Sequence, residues 1–101
     1  FRFQMRSIDL VRVKGKQAVV ELYEVFDADP PEVRQGKLES LARFAEAMHL
    51  YRKGRFKEAV RRLEQCRDIC PADTLPDIYI KRCHTMLRLA PGPDWAGVST
   101  L

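Results

Sequence analysis

Lys14 and Lys16 flank Gly15 in the stretch VKGK, a pair of cations on either side of a residue that turns easily. Taken by local pattern alone, they are the solvated flanks of a turn. Cys66 and Cys70 stand one helical turn apart, and Cys83 with His84 would complete four ligands if a third helix packed alongside. Their spacing is not that of a zinc knuckle, so metal binding is set aside and no metal residue is assigned. His49 and His84 have no partner set that would make them catalytic. Asp68, Asp73 and Asp77 read as capping or surface residues, because nothing places them beside a nucleophile or metal.

A second concentration of charge joins Arg52, Lys53, Arg55, Lys57, Arg61, Arg62 and Arg67 around one turn and one helix face. Glu58 and Glu64 interrupt it, and the whole chain carries 18 Lys and Arg against 14 Asp and Glu, a net charge of +4. That field is too mild for a nucleic-acid surface, and a solvated face is the reading. No run approaches the ~20 apolar residues of a membrane span. Three cysteines in helix-like sequence argue against a disulfide framework and for a reducing compartment, so the expected location is cytoplasmic.

The elements that must position these residues follow from periodicity. From Phe1 to Met5 apolar residues alternate with Arg2 and Gln4; Ile8, Leu10, Val11 and Val13 resume after a phase slip near Ser7 that suggests a bulge. Val19 to Phe26 is apolar on both faces, and the KGK turn makes the two runs an antiparallel hairpin. In DADPPEV, Asp29 is the expected N-cap of a helix carrying Val33, Leu38, Leu41, Ala45, Met48 and Tyr51 as far as Gly54. A second helix runs from Phe56 to Pro71, with Ala59, Val60, Leu63, Cys66 and Cys70 on one face. A third covers Leu75 to Leu89, with Ile78, Tyr79, Cys83 and Met86 inward. The tail APGPDWAGVSTL is too rich in Pro and Gly for helix, and Trp95 is its expected anchor.

A strand apolar on both faces belongs inside a covered sheet. Leaving about five such side chains in water, at ~1.5–3 kcal/mol each, forfeits on the order of 10 kcal/mol, which rivals a domain's whole stability. The 101 residues hold too little to cover it, so the chain reads as a piece completed by an upstream domain or another subunit.

FAEAMHLYRKGRFKEAVRRLEQCRDICPAD resembles one tetratricopeptide repeat, a helix-turn-helix unit of about 34 residues. Ala47, Gly54, Phe56, Ala59, Leu63, Cys66 and Pro71 match its small, turn, aromatic, small, large, small and proline positions. Arg43, Glu46 and Leu50 depart from it. One repeat cannot bury both its faces, so Leu41, Phe44, Met48, Tyr51, Phe56 and Leu63 are the expected docking surface, of either a docking or dimerisation arm or a helical cap over the end of a preceding domain.

In order, the hairpin IDLVRVKGKQAVVELYEVF, the repeat and the ending PGPDWAGVSTL resemble the C-terminal part of bacterial class III adenylate or guanylate cyclases. The resemblance implies an α+β fragment: residues 1–28 as the last strand pair of the catalytic sheet, 29–90 as the helical extension and 91–101 as the tail. It implies that the parent makes a cyclic nucleotide and pyrophosphate from ATP, with GTP second, using Mg or Mn held upstream. It also implies a homodimer with nucleotide sites between subunits. None of the family's metal aspartates or transition-state residues falls in this segment, so the chain alone is expected to be inactive, with no catalytic residue and no cofactor of its own. By the same resemblance the lysine of the hairpin turn, Lys14 with Lys16 second, reaches the triphosphate, and Gly15 lets the backbone turn. The competing class is a non-enzymatic tetratricopeptide-like interaction module.

Overall fold

The computed structural model describes residues 3–100. Phe1 and Arg2, where the strand alternation was expected to begin, and Leu101 lie outside the described residues. The order is β1 (Met5–Arg12), β2 (Val19–Val25), α1 (Pro31–Arg52), α2 (Phe56–Ile69), α3 (Leu75–Leu89) and β3 (Val98–Thr100), an α+β fold. β1 is central in a three-stranded sheet of order β2-β1-β3. It pairs antiparallel with β2 and parallel with β3, and the expected slip is a register shift between Ser7 and Asp9.

Two glycines make the corners. At Gly15 (φ +83°) the Lys16 N–H donates to Val13 O at 3.0 Å, a turn with its positive φ at the third residue. At Gly54 (φ +77°) the Gly54 N–H reaches Tyr51 O and the Arg55 N–H reaches Leu50 O, the paired bonds of a Schellman motif that ends α1. The three helices then pack in sequence around Phe44, Ala47, Met48, Tyr51, Phe56, Ala59, Leu63, Cys66, Tyr79 and Cys83. The residues assigned to the repeat at Ala47, Phe56, Ala59, Leu63 and Cys66 are all in that core.

Three expectations need correction. α1 starts at Pro31 with Pro30 in the cap position, and Asp29 does not cap it; its carboxylate instead takes Lys37 Nζ at 2.6 Å. The buried face of α1 runs through Lys37, Ser40, Phe44, Ala47, Met48 and Tyr51, so Leu38 and Ala45 are exposed. Polar residues sit on that face because each is satisfied: Ser40 Oγ donates to Gly36 O at 2.9 Å, and Lys37 has two carboxylates. On α3, Ile78 is exposed and Tyr79 and Cys83 are buried, since the i, i+4 pair and not its neighbour meets α1 and α2.

β3 was not foreseen. Three residues give no readable periodicity, and the strand is visible only in its parallel pairing with Leu10, Val11 and Arg12 of β1.

Candidate functional site

The hairpin turn projects Lys14, Gly15 and Lys16 into solvent. Beyond its chain neighbours, nothing lies within 4 Å of where a Cβ on Gly15 would be, so the positive φ and not crowding selects glycine there. The turn therefore presents two cations on a short backbone loop open to an approaching anion.

Behind it, β2 carries exposed apolar side chains on both faces. Val20 and Leu22 alternate with Val19, Tyr23 and Val25 along the strand, and every one of them is at least 40 % exposed. The edge of β2 away from β1 has no partner strand among the described residues. This is the uncovered, two-faced strand expected from the sequence.

The remaining sequence-selected residues go elsewhere. Phe44, Met48, Tyr51, Phe56 and Leu63 are buried in the chain's own core, closed by Tyr79, Cys83 and Trp95. Tyr51 is the hub, in edge-on contact with the rings of Phe56 (5.9 Å), Tyr79 (5.2 Å) and Trp95 (5.3 Å). Only Leu41 of the six stays partly open, beside a cleft of about 260 Å³ between β1 and α1 that Met5, Phe44, Ala45 and Met48 also line.

The hairpin is fastened to the helices by charge, and sequence reasoning missed this. Arg6 is buried and makes two bonds to Asp73, at 2.7 and 2.8 Å, and one to Glu24 at 2.8 Å, with its guanidinium 4.8 Å from the Phe44 ring centre. Lys37 Nζ donates to the same Glu24 oxygen, Oε1, at 3.2 Å. Burial alone would lower the pKa of Arg6, but the bonds to Asp73 and the charges of Asp73 and Glu24 more than reverse that and hold it above its usual value. Lys37 is raised on the same balance, with Asp29 and Glu24 overcoming desolvation. Asp73, read from the sequence as a capping or surface residue, does take the Leu75 N–H at 3.2 Å but is buried. The available signal was Arg6 itself, a charge on the strand face opposite Phe3 and Met5.

Farther along β1, Tyr79 OH donates to Ile8 O, and Arg82 reaches Asp9 at 3.2 Å while lying 4.6 Å from the Tyr79 ring centre. Cys66 and Cys83 are fully buried, and desolvation pushes both thiols up to about 11. Among the described residues no group of three or more His, Cys, Asp or Glu is placed to hold a metal ion, and no helix is long and apolar enough to cross a membrane.

No protein-family model matches the chain, and no solved structure matches it. Over 81 residues, 80 % of the chain, it is 37 % identical to the adenylate cyclase of Dictyostelium discoideum described as terminal-differentiation specific. The match spans 4 % of that protein's length. By sequence, the chain is therefore related to a small segment of an adenylate cyclase.

Proposed function

We propose that this chain is the closing segment of a nucleotide cyclase of the class III type, in which the β1–β2 hairpin completes the catalytic sheet and the helices form an extension behind it. The observation that carries the reading is β2, apolar and exposed on both faces, in a chain similar to part of an adenylate cyclase. A strand of that kind gains on the order of 10 kcal/mol when a sheet and its helices cover it. The catalytic domain is its proposed cover, in a homodimeric cytoplasmic enzyme that converts ATP, and GTP less readily, to the cyclic nucleotide and pyrophosphate. Mg or Mn would be held by that domain and not by this chain.

Lys14 is the proposed triphosphate contact, with Lys16 behind it and Gly15 shaping the turn. Negative charge grows on the departing pyrophosphate, so a fixed cation beside it stabilises the transition state more than the ground state. Among the described residues no group of three or more His, Cys, Asp or Glu is placed to hold a metal ion, and the chain alone is proposed to be inactive. The interaction-module reading has less support, because five of the six side chains it would offer to a partner are consumed in the chain's own core.

Amide hydrogen exchange across Val19–Val25, in the cyclase that carries the segment and in the isolated chain, tests the reading. The proposal expects protection in the cyclase and faster exchange in the isolated chain at dilutions where it is monomeric. Equally fast exchange in both would remove the basis for a sheet-completing hairpin.

A further inference from the structure

The Lys14 turn stands at the end of β1, where β1 has two neighbours. On one edge Leu10, Val11 and Arg12 pair with Glu21, Val20 and Val19 of β2. On the other edge the same three residues pair with Val98, Ser99 and Thr100 of β3. A three-residue strand is too short to hold its own position, so something before it must place it.

Trp95 and Gly97 do this. The Trp95 indole N–H donates to Tyr51 O at 2.8 Å, and its ring meets Tyr51 at 5.3 Å and Phe56 at 5.4 Å, on either side of the α1–α2 corner. Gly97 has φ +70°, and a Cβ there would lie 2.9 Å from Arg52 Cγ and 3.1 Å from Arg52 Cα. Only glycine lets the tail pass that close to α1 in that conformation. Beyond it, Ser99 Oγ donates to Asp9 Oδ1 at 3.4 Å, and Asp9 is in turn held by Arg82 of α3. Every step from the helical corner to the end of β1 is therefore fixed by a named contact.

We propose that Trp95 is a positioning residue for the hairpin turn: through Gly97 and β3 it anchors the end of β1, and with it Lys14, to the α1–α2 corner. Its consequence for catalysis rests on the reading of Lys14 as a triphosphate contact, whereas the hold on the turn rests on these contacts alone. A cation assists a developing charge most when it is held in place before the reaction, and a turn free to swing loses that advantage.

Hydrogen exchange on the 101-residue chain reads the hold directly, with the Lys16 amide, bonded to Val13 O at 3.0 Å, as reporter and the α1 core amides as reference. Trp95→Ala, and separately a chain ending at Ala96 that keeps Trp95 but lacks β3, are expected to speed Lys16 exchange by roughly 10-fold or more while the α1 amides hold. If Trp95→Ala loosens the helices as well, the shortened chain decides, and unchanged Lys16 exchange in it overturns the proposal. In the cyclase that carries the segment, Trp95→Ala is expected to cost roughly 10-fold in kcat/KM, and to cost nothing further once Lys14 is Ala. Faster Lys16 exchange combined with fully additive losses would uphold the tail's grip on the turn and refute the role given to Lys14.

Discussion

Replacing Arg6 by Met removes a charge that three elements share. The Arg6 and Asp73 side chains are 2 % and 3 % exposed and joined by two short bonds, so the Asp73 carboxylate would be left buried without its main partner. Losing one member of a buried pair costs ~3–5 kcal/mol. A chain of this size has ~5–15 kcal/mol in total, so about a fifth or more of its stability goes. Arg55 and Glu58, an exposed pair at 2.7 Å, provide the internal control, and Arg55→Ala is worth ~0.2–1 kcal/mol. Urea unfolding followed by far-ultraviolet circular dichroism and by the single tryptophan, Trp95, measures both. Adding Asp73→Leu to Arg6→Met is expected to recover ~1–3 kcal/mol relative to additivity, because it removes the stranded carboxylate. A loss below 1 kcal/mol for Arg6→Met, or no recovery in the double variant, would refute the reasoning that this pair fastens hairpin to helices.

The Gly36→Ala variant sets helix propensity against packing: alanine gains ~1 kcal/mol in a helix, but its Cβ would sit 2.7 Å from Cys70 Sγ and 2.8 Å from Cys70 Cβ, an overlap costing ~1–3 kcal/mol. Net destabilisation in urea is expected, and a more stable variant would show that α2 can yield at Cys70. Stability should also fall in alkali. The Cys66 and Cys83 thiols titrate near 9 when unfolded and about 11 when folded, so their contribution is complete below pH 9 and is lost as pH rises towards 11. Urea midpoints that stay flat from pH 8.5 to 10.5 would contradict this. Tyr23→Lys, with Val25→Lys, places charge on the exposed apolar strand without touching the core. The isolated wild-type chain is expected to self-associate and the double variant to sediment as a monomer at unchanged stability; a monomeric wild type would argue that β2 needs no cover.

Periodicity carried the fold a long way. The hairpin, its bulge, both glycine corners and the span of α3 are all local signals, written in residues a few positions apart. The inward face of α1 was misplaced because hydrophobicity favours Leu38 and Ala45, whereas Lys37 and Ser40 are buried by partners on β2, the loop before α1 and α1's own backbone. The same blindness hid the Arg6 network, which joins residues 67 positions apart that no pattern links. Trp95 was legible as an anchor, but its seat on Tyr51 and Phe56 and the strand it places were not. For the lysine turn, sequence supplied the residues and the structure supplied their exposure; the anion itself comes from the resemblance to cyclases.

We propose that this hairpin works inside a nucleotide cyclase with Lys14 at the triphosphate. The direct measurement is cyclic nucleotide formation from ATP and GTP with Mn²⁺ by the full-length protein that carries the segment, by its Lys14→Ala variant and by this chain alone. Product from the parent, a loss of ~10-fold or more in the variant, corresponding to ~1.4 kcal/mol of transition-state stabilisation, and none from the isolated chain are the expected results. A folded parent that makes no product from either nucleotide would contradict the cyclase reading, and an active parent indifferent to Lys14 would reduce the turn to solvent-exposed surface.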